Sequence, residues 1–111
     1  MDLSPDLIDA LAEFESFEVE YLVIGGWAVS THAKPRFTKD LDLWIGIDLL
    51  RSIPGITFEE AWPRRARARW GTLSVNLIGL DDLIAAKRAA GRPQDLADLE
   101  QLLAVKQRAG T

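Results

Sequence analysis

Residues 21–45 read YLVIGGWAVSTHAKPRFTKDLDLWI. The stretch opens on an apolar, partly β-branched run that stops at Gly25-Gly26, which reads as a buried strand over residues 19–24. Residues 27–33 follow as a short helix, closed before Pro35 because the residue preceding a proline avoids the α region. Residues 37–47 then alternate. Leu41, Leu43 and Ile45 fall on one face and Asp40 and Asp42 on the other, the period of a second strand. A strand, a glycine corner, a helix and a strand bearing alternate carboxylates thus set the local architecture.

The flanks extend it. Ser4 and Pro5 have the form of an N-cap followed by proline at the first helical position. Leu7, Ile8, Leu11 and Phe14 repeat at helical spacing, predicting a helix to about Ser16. Thr57 and Glu60 have the spacing of a capping box ahead of a short helix through Trp62. Residues 65–70 and 73–78 alternate about Gly71-Thr72, the pattern of a hairpin. Asp81 is expected to cap a helix that Gly91 ends. Pro93 opens a last helix with Leu96, Leu99, Leu102 and Leu103 as its buried stripe. The order α-β-α-β-α-β-β-α-α predicts one α+β domain over residues 1–111, a small mixed β-sheet with helices packed on it.

Composition narrows the function classes. At 111 residues, 48% hydrophobic and 27% charged, the chain matches a single globular domain with a modest core. No apolar run approaches the ~20 residues of a membrane span, so no membrane association is expected. The opening MDLSPDLIDA lacks the basic and apolar regions of a signal peptide, and there is no cysteine; a cytoplasmic location is expected. Thirteen basic residues against seventeen acidic ones give a net charge of −4, which argues against a general nucleic-acid coat. Local basic clusters remain, at Arg64, Arg65, Arg67 and Arg69 and at Lys87, Arg88 and Arg92. The first cluster suggests RNA contact through a strand, against the plainer alternative of arginines solvating its outer face. The four tryptophans read as core or interface mass, with base stacking by Trp27 as the alternative. His32 reads either as a substrate contact or as a hydrogen-bonded structural residue.

Residues two apart on a strand point to one side, about 6.5 Å apart along the chain. Asp40 and Asp42 therefore offer an oxygen-rich pair, the ligand type that Mg²⁺ shares with substrate phosphates. Gly25-Gly26 at a strand-to-helix junction exposes backbone amides that suit a triphosphate.

In combination, Gly25-Gly26-Trp27-Ala28-Val29 followed by His32, Arg36, Thr38, Asp40 and Asp42 resembles the signature of the minimal nucleotidyltransferases in the DNA polymerase β superfamily. That group includes antibiotic nucleotidyltransferases and toxins of toxin–antitoxin systems. Residues 82–99, DLIAAKRAAGRPQDLADL, resemble a C-terminal segment of its small bacterial members. The resemblance implies that Asp40 and Asp42 ligate Mg²⁺. It also implies that Gly25, Gly26, Thr38 and Lys87 meet the nucleotide. The alternative for Lys87 is a solvated helix face, and for Asp95 and Asp98 a favourable interaction with a helix dipole.

The family pattern includes a third carboxylate on a neighbouring strand. Residues 47–62, IDLLRSIPGITFEEAW, resemble that motif and make Asp48 the third catalytic and metal-binding residue. It arrives early. Only residues 43–47 separate it from Asp42, and along one straight strand the two would lie about 20 Å apart. A loop of Trp44, Ile45 and Gly46, with Gly46 left-handed, would return Asp48 opposite Asp42. Exchange of the strand between protomers of a homodimer is a second route. An incomplete, inactive site is a third.

Two functions follow as expectations. One is Mg²⁺-dependent transfer of a nucleoside monophosphate from an NTP to an acceptor that is RNA, protein or a small molecule. The other is a shortened, catalytically inactive domain that binds nucleotide or dimerises. A helical partner protein accompanies many members of the family.

Overall fold

The computed structural model describes residues 5–33, 41–46 and 53–109. A first helix, α1 (Pro5–Ser16), leads into β1 (Tyr21–Ile24), and α2 (Gly25–His32) starts directly from the end of that strand. Then come β2 (Asp42–Ile45), the single-turn α3 (Phe58–Ala61) with a 3₁₀ turn over Trp62–Arg64, the strands β3 (Ala66–Trp70) and β4 (Leu73–Leu77), α4 (Leu80–Ala90) and α5 (Pro93–Ala109). The molecule is α+β, and the element order expected from the sequence is the one observed.

The strands form one mixed sheet in the order β2-β1-β4-β3. β1 pairs antiparallel with β2, Tyr21 opposite Ile45 and Ile24 opposite Asp42, and parallel with β4 at Val23 and Leu77. β3 and β4 form the predicted hairpin, turned at Gly71 with φ +68°, where only a residue without Cβ is unstrained. The Tyr21 hydroxyl accepts from the Asn76 backbone N–H at 3.3 Å and donates to Glu15 at 3.3 Å, tying β4 to α1.

Alternation along β1 and β2 divides the core in two. Tyr21, Val23, Leu43 and Ile45 join Leu11, Trp27, Val29, Leu83 and Leu102, so α1, α2, α4 and α5 share that cluster. Leu22 and Trp44, directly opposite one another, pack with Phe58 and Ala61 of α3 in a second cluster. Asp42 shares the face of Trp44. That face is therefore covered by α3 rather than solvated, with the Trp44 and Phe58 rings edge to face at 5.2 Å. Thr57 completes the capping box: its hydroxyl accepts from the Glu60 N–H at 3.1 Å while Glu60 accepts from the Thr57 N–H at 3.1 Å.

Four expectations change. Strand β2 is shorter than residues 37–47: Leu41 precedes it, and residues 37–40 and 47 lie outside the described residues. The loop of Trp44, Ile45 and Gly46 does not form. Trp44 and Ile45 are in-register strand residues, the Gly46 N–H continues the ladder to Glu20 O at 3.0 Å, and Gly46 is not among the glycines of positive φ. The apolar side chains of Trp44 and Ile45 gain more from the two core clusters than from a turn. Helix α4 begins at Leu80 with Gly79 as its N-cap rather than at an Asp81 cap, and a Cβ at residue 79 would collide with the Arg64 carbonyl. Asp81 instead sits in the first turn and pairs with Lys106 at 2.9 Å.

The fourth change is in α5. Of its expected stripe only Leu102 is fully buried, and Leu96 and Leu103 are exposed. The inward positions one and two turns before Leu102 belong to Asp98 and Asp95, at 3% and 1% exposure. Two buried carboxylates require a buried counter-charge, and α4 supplies it.

Candidate functional site

The corner between β1 and α2 is turned through Gly25, at φ +68°. Pairing of Ile24 with Asp42 brings the N-terminal end of β2 against it. A Cβ built on Gly25 would stand 2.6 Å from Asp42 Oδ2 and 3.4 Å from its Cγ. Glycine is thus required twice at this position, by the left-handed backbone and by the carboxylate resting on it. Two features separated by seventeen residues in the chain meet at one corner: the glycine pair and the second aspartate of the Asp-Leu-Asp motif. Gly26, by contrast, is buried within the first turn of α2.

A cleft of about 180 Å³ opens beside the corner. Ile24, Gly25, Ile53 and Pro54 line one side, Leu83, Ala86, Lys87 and Ala90 of α4 another, with Arg92 and Asp95 closing the end. Lys87 is neither a solvated surface lysine nor an uncommitted cation. Its side chain is 11% exposed, and its ammonium pairs with Asp95 Oδ1 at 3.2 Å and Asp98 Oδ2 at 3.1 Å. Asp95 also accepts from Arg92 Nε at 2.6 Å and from the Arg92 backbone N–H at 3.2 Å. Favourable contact with the α5 dipole is therefore a minor part of what Asp95 does. It sits opposite Lys87 across the Gly91 turn, whose φ of +66° folds α5 back along α4. The eight-residue spacing of Lys87 and Asp95 about Gly91-Arg92-Pro93 was the signal for this network, but an oppositely charged pair at that spacing also suits two solvated helices.

The Arg92 guanidinium, and after it the Lys87 ammonium, hold the Asp95 carboxyl down to about 2 against the opposing effect of burial. A carboxyl depressed in the folded state stabilises the fold above its unfolded value and loses that contribution as pH falls toward the folded value. The contribution of Asp95 is thus complete above about pH 4–5 and disappears between there and pH 2. It amounts to about 2 kcal/mol. Urea denaturation of Asp95→Asn should show lower stability than wild type at pH 7 and a gap that narrows by about that amount as pH approaches 2. A constant gap would refute the assignment.

His32 donates from Nε2 to the Ile78 carbonyl at 2.8 Å, so it is the structural histidine. Trp27 is 5% exposed and packs against Trp70 at 5.4 Å, which leaves no open face for a stacked base. The basic strand is also committed internally. Arg64 grips Asp82 through two bonds at 3.0 and 2.8 Å, Arg65 lies 4.0 Å over the Trp62 ring, and Arg67 donates to Asn76 Oδ1 at 2.6 Å. Those contacts engage three of the four arginines of residues 64–69, and the Asp82 carboxylate neutralises Arg64.

Asp40, Thr38 and Asp48 lie outside the described residues, so of the carboxylate set only Asp42 has described geometry. Among the described residues no group of three His, Cys, Asp or Glu side chains gathers as a metal site. Asp42 is half-buried, a hard oxygen donor resting against Gly25, and that chemistry suits Mg²⁺ as one ligand of several. No described helix is long and apolar enough to cross a membrane. Comparison with known proteins adds no constraint: no family model matches the chain, and no curated protein matches its sequence.

Proposed function

We propose that the chain is a nucleotidyltransferase-type domain that transfers a nucleoside monophosphate from an NTP to an acceptor, with Mg²⁺ as cofactor. The observation that supports this most is the contact between Gly25 and the Asp42 carboxylate. It brings a metal-ligating group and an open backbone together at the end of the sheet, where ligands of sheet proteins gather. Asp42 is the proposed metal ligand with described geometry, and Asp40 and Asp48 are the proposed companions. When bound, Mg²⁺ would neutralise charge on the triphosphate. The chain's own contributions are the Gly25 corner, whose lack of a Cβ lets the Asp42 carboxylate lie against the backbone at the end of β1, and the adjoining cleft, which would exclude water from one side of a ligand. Lys87 belongs to this site as a wall and positioning group. Its charge is matched by Asp95 and Asp98, which makes it a weaker phosphate ligand than the sequence pattern implies.

A second reading, a nucleotide-binding or dimerising module without turnover, draws on the short sequence distance between Asp42 and Asp48. With Trp44 and Ile45 held in the sheet, Asp48 has no tight reversal immediately after Asp42 to bring it back. Strand exchange with a second copy of the chain in the cytoplasm, or a helical partner, would complete the arrangement.

Incubation with labelled ATP, CTP, GTP or UTP, Mg²⁺ and RNA, protein or small-molecule acceptors separates these readings. Transfer is expected, and Asp42→Ala should lower it at least about a hundredfold, the scale for losing an electrostatic element of a reaction site. Transfer unchanged by that substitution would sink the active-site assignment. Stabilisation by NTP without product would favour the binding module.

A further inference from the structure

We infer that the groove beside Phe17, at the opposite end of the sheet from Gly25, docks a basic segment of a partner protein that carries an apolar side chain among its lysines or arginines. Phe17 is 77% exposed, the highest value among the described large apolar residues. Apolar surface continues from it: Val19, Ile45 and Gly46 line a groove of about 340 Å³ together with Phe17, Glu18 and Glu20. Tyr21 pairs with Ile45 at this end of β1, and Ile24 pairs with Asp42 at the other. The groove is thus separate from the glycine corner, and the inference does not rest on nucleotide chemistry.

One exposed ring alone needs no explanation. The backbone that presents it does. Helix α1 ends in a Schellman motif, with the Val19 N–H donating to Phe14 O at 2.9 Å and the Glu18 N–H to Glu15 O at 3.2 Å. The left-handed residue of that motif is ordinarily glycine. Here it is Glu18, at φ +55°, and no other described residue with a Cβ has a positive φ. The strain holds a carboxylate on the rim beside Phe17, and strain of this kind gathers where a surface is used. Charge then selects the occupant. Both charged residues of the groove are acidic, neither is ion-paired among the described residues, and no lysine or arginine precedes Lys34. Phosphate-rich surfaces, nucleic acid or anionic lipid, are repelled. Ammonium or guanidinium groups flanking an apolar side chain instead meet the two carboxylates while that side chain packs on Phe17.

Amide chemical-shift titration of the full chain with three peptides of equal length, alternating lysine–leucine, glutamate–leucine and lysine–glycine, tests this. The lysine–leucine peptide is expected to shift Phe17, Glu18, Val19, Glu20 and Gly46. It should bind at least about tenfold more tightly than either of the others, because it alone supplies both charge and apolar surface. Its affinity should fall severalfold as salt rises from about 50 to about 300 mM. Phe17→Ser should weaken binding at least about tenfold and leave the urea midpoint unchanged, since the ring is mostly exposed. Glu18→Gly separates docking from folding: relief of the strain should raise the folding constant about fivefold, while loss of the carboxylate weakens the peptide about threefold. Equal binding of the lysine–leucine and lysine–glycine peptides, shifts spread over other acidic surfaces, or wild-type binding by Glu18→Gly would overturn the docking site. So would a dimer in sedimentation velocity that Phe17→Ser converts to monomer, because the groove would then hold a second copy of the chain.

Discussion

Replacing Lys87 with methionine should destabilise the protein by about 3–5 kcal/mol, the scale for removing one partner from a buried ion pair. Methionine nearly matches the lysine stem in length, so packing changes little and the loss is electrostatic. Asp95 keeps Arg92, but the counter-charge that Lys87 gave Asp98 disappears, in a position only 3% exposed. Domains of this size are stable by about 5–15 kcal/mol. The variant should therefore lose a large share of its stability and unfold at markedly lower denaturant. Asp98→Asn in the Lys87→Met background should recover part of it, because the carboxylate that has lost its ammonium becomes neutral, whereas Asp98→Asn alone should be destabilising. A double-mutant cycle by chemical denaturation measures this coupling. A loss below about 0.5 kcal/mol for Lys87→Met would mean that the pair is solvated and the α4–α5 contact differs from the one described.

Gly25→Ala is the second large effect, on the site more than on the fold. The left-handed backbone at φ +68° costs a residue with Cβ about 1–2 kcal/mol. The added methyl also meets Asp42 Oδ2 at a distance real Cβ atoms do not adopt, so the carboxylate must rotate away from the corner. Stability should fall by about 1–3 kcal/mol, and nucleotide transfer should fall as far as it does in Asp42→Ala, although the aspartate is still present. In an Asp42→Ala background the carboxylate oxygens are gone, and Gly25→Ala should then cost only the backbone strain, about 1 kcal/mol less than in the wild type. Equal cost in both backgrounds would show that the two residues do not touch. Loss of stability without loss of transfer would separate the glycine from the reaction.

Most of the backbone architecture was legible along the chain because its signals are local. Thr57 and Glu60 announce a helix start through bonds three residues apart, and Gly71 and Gly91 mark turns by needing no neighbour beyond their own backbone. The alternation of Leu43 and Ile45 against Asp42 identifies a strand and its faces. These features depend on residues within one turn or one pleat of each other, so a linear pattern contains them.

The α5 face was misread for a different reason. Leu96, Leu99, Leu102 and Leu103 and the set Asp95, Asp98 and Leu102 both follow helical spacing, and hydrophobicity favours the first. The choice falls to the second because α4 brings a buried ammonium to the same level, and that pairing crosses a turn. The loop through Trp44 and Ile45 failed similarly: two core clusters on opposite faces of the sheet claim those side chains, and neither cluster is contiguous in the chain.

The glycine pair and the Asp-Leu-Asp motif of residues 21–45 were enough to nominate the chemistry and the residues. Their meeting, Gly25 against Asp42, depends on the register of two antiparallel strands, and the cleft beside them depends on α4 and α5 closing over the end of β1. Residue types follow from the chain itself. The distances between carboxylate, glycine and ammonium arise from packing among segments far apart in it, because only burial of the shared core fixes where those segments lie.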